Sequence, residues 1–145
     1  MPNNTDKTEE IIKERLAKID EAINELKKFN EISLEKYKAN KTIQYASIYA
    51  LVIGIEAVCD IGNHILTYYF ARKPDSYKDI ILQLAEVDVI SKEFAEYSQE
   101  MTDFRNLVIH VYLKIDEEKV YSYIGKAIEQ FEKYAKYYIK FIESK

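Results

Sequence analysis

Thr42-Ile43-Gln44-Tyr45-Ala46-Ser47-Ile48-Tyr49-Ala50-Leu51-Val52-Ile53-Gly54-Ile55 is a run of fourteen residues without a formal charge. A membrane span needs about 20 predominantly apolar residues, and Gln44 within the run and Glu56 directly after it spoil an extension. The run therefore reads as a helix buried on several sides, the kind that forms the middle of a helical protein. It belongs to a longer predicted helix from about Ser33 to Phe70, polar at first and almost wholly apolar from Ile43 to Val58. Gly54 and Gly62 inside it permit a close helix contact or a bend. Arg72-Lys73-Pro74-Asp75 marks the point by which that helix is over, because proline disfavours a helical residue before it.

The flanking sequence repeats the helical period. Upstream, Ile12, Leu16, Ile19, Ile23 and Leu26 alternate spacings of four and three, a narrow apolar stripe on a helix of about Thr8 to Phe29, with Asn30 able to end it in a left-handed conformation. Downstream, Ser76-Tyr77-Lys78-Asp79 looks like a capping box opening a short helix through Ile80, Ile81 and Leu84. After a turn around Val87 to Ser91, a fourth helix is predicted over about Lys92 to Leu113. Asp116 caps a last helix of about Glu117 to Glu143, with Val120, Ile124, Ala127, Phe131, Tyr134, Tyr138 and Ile142 facing the core. Three glycines and two prolines in 145 residues are too few for the turns of a sandwich or barrel. The expectation is one all-α domain over residues 1–145, an up-and-down antiparallel four-helix bundle with one extra short helix.

Composition limits the function classes. With 48% hydrophobic and 32% charged residues the chain reads as globular rather than disordered. A formal net charge of −4 gives no global basic field for capturing nucleic acid, so any RNA binding must come from a local patch or from two chains together. The single Cys59 excludes an internal disulfide, fits a reducing cytoplasm, and lies in an apolar helical run where a packed thiol is expected. Met1 to Glu10 is polar and mixed in charge, unlike a secretory signal. No membrane association is expected.

Phe104-Arg105-Asn106-Leu107-Val108-Ile109-His110-Val111-Tyr112 carries the chemistry. It holds one of three arginines and one of two histidines. Arginine clamps phosphates with a planar fork of donors, and histidine moves protons near neutral pH. At roughly 100° per residue, Phe94, Tyr97, Met101, Phe104, Leu107, Val108 and Val111 share one broad core arc, and Tyr112 lies about 20° from Arg105 at its edge. Asn106 and His110 fall on the polar side, one turn apart, so Asn106 is placed to orient the imidazole or a phosphate. Arg105 and His110 project about 140° apart, with Ile109 and Leu113 as an apolar strip between them. An isologous contact along that strip would join Arg105 of one copy to His110 of another. The expectation is a homodimer with a composite site in which the ribose 2′-OH of RNA attacks the adjacent phosphate, His110 transfers a proton and Arg105 holds the phosphate, with no metal and no cofactor.

The pattern Arg-Asn-x-x-x-His-x-Tyr, from Arg105 to Tyr112, resembles the signature of the HEPN superfamily of ribonucleases, and within it the HepT toxins. Asp60-Ile61-Gly62-Asn63-His64 is similar to what HepT proteins carry on their second helix, which makes Asp60, Asn63 and His64 candidate supporting residues. The likeness spans about Lys13 to Ile142. It implies a metal-independent endoribonuclease toxin of a type VII-like toxin–antitoxin system, paired with a MntA-type minimal nucleotidyltransferase antitoxin that silences it by transferring AMP to Tyr112. The alternative reading is a non-catalytic, substrate-binding helical partner of a nucleotidyltransferase; a third is a plain dimeric scaffold. The presence of both Arg105 and His110 favours the nuclease.

Glu56, Asp60 and His64 recur every four residues on one face and are of metal-ligand type. One helix offers such ligands in a row rather than around an ion, so a buried polar network of Asp60 and His64 behind the cleft is the favoured reading. No Gly-rich phosphate loop and no Cys-x-x-Cys is present.

Overall fold

The helix predicted from Ser33 to Phe70 breaks at Asn40. In the computed structural model, which describes residues 4–108 and 116–145, a one-turn helix α2 (Leu34–Lys38) precedes the long helix α3 (Lys41–Phe70). Asn40 is extended, with φ −127°, and its side-chain oxygen accepts the Ile43 N–H at 3.1 Å. The competition between an Asn side chain and the backbone ends one helix and caps the next. Gln44, buried, donates its amide to the carbonyls of Tyr37 (2.9 Å) and Lys38 (3.1 Å), satisfying groups that the break would orphan. Fully buried Tyr37 shares a 2.7 Å hydrogen bond with Ser47 and packs on Tyr121.

α3 ends where expected. Ala71 takes the left-handed conformation, φ 52°, and Arg72 N–H reaches the Leu66 carbonyl at 2.9 Å, a glycine-type stop built on alanine. Asp88, φ 60°, is the other left-handed residue among those described. Asn30 is not left-handed; it is simply the last residue of α1 (Asn4–Asn30). The predicted capping box opens α4 (Tyr77–Glu86): Ser76 Oγ accepts the Asp79 N–H at 3.0 Å, and the Asp79 carboxylate reaches back to the Asp75 N–H at 2.8 Å.

The fourth helix is also broken, at Gln99, into α5 (Lys92–Ser98) and α6 (Glu100–Val108). The Gln99 carbonyl accepts both the N–H (3.0 Å) and the hydroxyl (2.8 Å) of Thr102, a tightened i→i+3 turn stabilised by threonine back-bonding. The tighter turn changes the phase of α5 against α6. Tyr97 and Leu107, expected on the core arc, are 43% and 42% exposed, while Ser98 and Thr102 are buried. Ser98 is compensated by a 2.6 Å hydrogen bond with Tyr134. The last helix, α7 (Glu117–Glu143), has the expected bounds, with Asp116 accepting the Glu118 and Lys119 N–H groups.

Helices α1, α3, α5–α6 and α7 form the expected up-and-down antiparallel bundle, with α4 packed on α3 and α5. α3 runs unbroken through both glycines. A Cβ at Gly54 would overlap the ring of Phe131 on α7, and one at Gly62 would lie 2.7 Å from Ile80 Cγ2. The glycines therefore serve close approach. α3 is long and apolar enough to cross a membrane by length and composition, but 56% of its most apolar window is buried inside the bundle.

Burial raises the pKa of Tyr37, Tyr134 and Tyr138, and the Tyr138 hydroxyl donates to the Val58 carbonyl at 2.8 Å. In the unfolded chain tyrosine ionises near pH 10, whereas the buried phenols keep their protons. The stabilisation this represents is complete below pH ~10 and is lost as pH rises beyond it. The urea midpoint should therefore stay level between about pH 7 and 9 and fall steeply above pH ~10; a midpoint unchanged at pH ~11 would contradict the burial of these phenols.

Candidate functional site

Arg105 sits at the edge of the core on α6, between buried Phe104 and Val108. Phe104 stacks on Tyr123 of α7, with ring centroids 4.7 Å apart, and so fixes the rotation of α6. The Arg105 side chain, 29% exposed, donates from Nε to Glu56 Oε1 of α3 at 3.2 Å. Its guanidinium carbon lies 4.3 Å from the ring centroid of Tyr77 on α4, and the Tyr77 hydroxyl donates to Glu56 Oε2 at 2.5 Å. Three helices thus meet in an arginine held by a carboxylate on one side and an aromatic face on another, a combination of ion pair and cation–π contact.

Electrostatics follow from this closure. Burial opposes the charged form of Arg105, but the hydrogen bond to Glu56, together with Tyr77 and the charge of Glu56, outweighs it, and the guanidinium is held more firmly protonated than usual. Burial first, and the hydrogen bond to Glu56 second, push the Tyr77 phenol up to about 12. At neutral pH Tyr77 is therefore a neutral donor. Burial likewise pushes the Cys59 thiol up to about 12, leaving it a packed thiol and not a nucleophile.

One turn further along α3, Asp60 Oδ2 accepts from Arg15 Nε of α1 at 2.6 Å, and Asp60 Oδ1 lies 3.6 Å from His64 Nε2. Asp60 and His64 are 38% and 34% exposed, so the buried network expected of them is instead a half-exposed cluster around a third partner, Arg15. With Glu56 committed to Arg105 and Asp60 to Arg15, the three residues of the four-residue row do not converge. Among the described residues no group of three metal-ligating side chains is placed to hold an ion.

A solvent-open cleft of about 600 Å³ lies between α1, α3 and the start of α4, with Glu56, Asp60, Asn63 and Tyr77 in its lining. It adjoins Arg105 through Glu56 and Tyr77. Of the expected site residues, Arg105, Asp60 and Asn63 are gathered at or beside this cleft, Asn106 is exposed on the far side of α6, and His64 stands behind Asp60. His110 and Tyr112, with Ile109, Val111 and Leu113, lie outside the described residues.

Sequence reasoning missed Glu56, Tyr77 and Arg15 as partners. The signal was partial: an acid closing a fourteen-residue uncharged run is suited to a cation from another element, but eighteen lysines stood beside the three arginines as candidates.

Residues 19–138 match the family described as Ribonuclease HepT-like. The chain belongs to that family. It is 29% identical over 126 residues to tRNA nuclease HepT of Aphanizomenon flos-aquae, covering 87% of this chain and 86% of the relative. It is 27% identical over 99 residues to mRNA nuclease HepT of Shewanella oneidensis, covering 68% and 74%. The fold superposes with a TM-score of 0.79 on the tri-AMPylated Shewanella oneidensis HEPN toxin in complex with MNT antitoxin, at 25% identity over 88% of this chain and 95% of that one. Cytosolic YutE of Bacillus subtilis, at 19% identity and a TM-score of 0.77 over 92% and 89%, shares the fold.

The Glu56–Arg105 pair should be measurable in stability. A double-mutant cycle of Glu56→Ala and Arg105→Ala, followed by urea denaturation, is expected to give a coupling of about 1 kcal/mol, the upper end for partly exposed pairs. Strict additivity of the two substitutions would mean that the contact does not persist in solution.

Proposed function

We propose that this HepT-like chain is a metal-independent endoribonuclease, the toxin of a toxin–antitoxin pair whose partner is a MntA-type nucleotidyltransferase. The observation that carries the reading is Arg105, a guanidinium fixed by two residues that line the neighbouring cleft, Glu56 and Tyr77, and followed in sequence by Asn106, His110 and Tyr112. The relatives named as tRNA and mRNA nucleases support the activity, and the toxin structure bound to MNT antitoxin supports the partner.

Chemically, the ribose 2′-OH attacks the adjacent phosphorus and the 5′-oxygen of the next nucleotide leaves. The products are a cyclic phosphate and a free 5′-OH. His110 takes the proton from the 2′-OH or gives one to the leaving oxygen. Arg105 holds the phosphate and stabilises the charge that grows on it, and Asn106 orients the imidazole or the phosphate. Because the helical period of the sequence sets Arg105 and His110 about 140° apart, a second copy supplies the complementary half of each site. An AMP ester on Tyr112, about 20° from Arg105 on the wheel, adds a bulky anion that competes with RNA phosphate for the guanidinium.

Purified protein in EDTA should cleave RNA to products with 5′-OH ends, and Arg105→Ala or His110→Ala should each lower the rate by about 10²-fold or more. Cleavage that survives either substitution sinks the site. Mixing the two inactive variants should restore roughly a quarter of parental activity, because half of randomly paired dimers carry one intact composite site; no restoration would place both groups in one chain. Incubation with the partner nucleotidyltransferase and ATP should add AMP mass at Tyr112 and abolish cleavage, and an unmodified Tyr112 would remove the regulatory part of the reading.

A further inference from the structure

The cleft beside Arg105 has the wrong charge for a phosphate. It holds Glu56, Asp60 and Asp75 against Arg15 and Lys18, which is three negative charges against two positive. Both cations are already engaged: Arg15 with Asp60 and Glu14, and Lys18 with Glu21. What the cleft does offer is an apolar wall of Ile53, Ala57 and Ile80, and two polar side chains, Asp75 and Asn63, with no side-chain hydrogen bond to the described residues. Its volume of about 600 Å³ falls within the ~300–1,000 Å³ usual for small-molecule sites. A flat, uncharged ring with a hydrogen-bond donor on its edge matches that lining.

We infer that the cleft is a base subsite, taking the nucleoside next to the phosphate held by Arg105 and selecting a base with an exocyclic amine. The inference rests on the ribonuclease reading for its substrate. Single-stranded RNA is read by splaying bases out against flat side-chain surfaces and bonding their edges. A carboxylate accepts from the amine of cytosine, adenine or guanine, and Asp75 is the acceptor here, with the Asn63 amide as a second edge contact. Uracil carries no amine: its one edge donor, N3–H, lies between two carbonyls whose oxygens would face the Asp75 carboxylate, so the contact is weaker. The position follows from the contacts: Glu56 and Tyr77 both line the cleft and both touch Arg105, so a phosphate on the guanidinium and a base in the cleft are neighbouring parts of one nucleotide strand. The acidic lining also keeps the phosphate out of the cleft and on the arginine.

The test uses the full chain and two readouts. In the first, oligoribonucleotides that differ by one base on either side of a single cleavable bond are cut side by side. Uracil on the cleft side should be cut about 10-fold more slowly than adenine or cytosine, the worth of one charge-assisted hydrogen bond. Asp75→Asn and Asn63→Ala should shrink that ratio to within about 3-fold, and Ile53→Trp, which fills the cleft, should raise KM for all four bases. In the second, adenosine, cytidine and uridine 5′-monophosphates are titrated while the Asn63 side-chain amide signal is followed by NMR; the first two should shift it and uridine should not. Cleavage with no base discrimination, or discrimination untouched by Asp75→Asn and Asn63→Ala, overturns the subsite and leaves the ribonuclease reading standing. Selective nucleotide shifts without cleavage overturn the ribonuclease reading and keep the cleft as a nucleotide site. Neither cleavage nor shifts removes both.

Discussion

Glu56 is an acid on the most apolar helix of the protein, and the arrangement around it depends on how that charge is met. Its carboxylate is 42% exposed at the edge of the core, where a cation and hydrogen-bond donors complete what water meets only in part. Glu56 finds both: the Arg105 Nε on one oxygen and the Tyr77 hydroxyl on the other. Since the three residues come from α3, α6 and α4, satisfying one carboxylate also fixes how the short helix and the motif helix sit on the central one. The ring of Tyr77 closes the triangle by packing under the guanidinium.

The same solution recurs with the other two arginines. Arg15 of α1 meets Asp60 of α3, and Arg72 after α3 meets Glu86 at the end of α4. Isolated partly exposed pairs of this kind are worth little in stability, about 0–1 kcal/mol each, so they do not hold the bundle together. The apolar faces of α1, α3 and α7 do that, with Gly54 admitting Phe131 against the α3 backbone. The pairs fix orientation instead. Planar forks that bond in one geometry set the direction of side chains that packing alone would leave free.

How much of this could be read from the sequence varied with the kind of physics involved. The bundle, the caps at Ser76 and Asp116 and the bounds of α7 were legible because apolar period and capping chemistry are local. The breaks at Asn40 and Gln99 were not. Neither involves glycine or proline; each arises from one polar side chain, Asn40 or Thr102, bonding its own backbone. The break at Gln99 then offset α5 from a wheel centred on Arg105 and put Tyr97 on the surface, whereas Leu107, on the same side of the break as Arg105, is exposed as the rim residue of the expected arc. At the site, Arg105 stood out by rarity and by its neighbours in the motif. Its partners Glu56 and Tyr77, 49 and 28 positions away in sequence, could be found only once α3, α4 and α6 were in contact. Asp60, Asn63 and His64 were recognisable as a group, but their separation into a salt-bridged pair, a cleft side chain and an outlying imidazole depends on where α1 lies.

An arginine already paired with a glutamate is at first sight a poor phosphate ligand for a chain of net charge −4. At an effective dielectric of about 20, a phosphate oxygen roughly 4 Å from the guanidinium gains about 4 kcal/mol, while a carboxylate about 7 Å away on the far side takes back about 2.4. The remainder, roughly 1.6 kcal/mol, still attracts, but weakly. In the proposed reaction each further unit of negative charge that develops on the phosphate is stabilised by a similar increment. Without its counter-ion the arginine would hold the phosphate about 2.4 kcal/mol more tightly already in the ground state, and would release product more slowly. Glu56 therefore weakens the grip while fixing its direction. On an acidic protein that leaves the cleft to supply what binding the paired arginine does not, through apolar contact and base-edge hydrogen bonds whose strength does not depend on the overall charge of the chain.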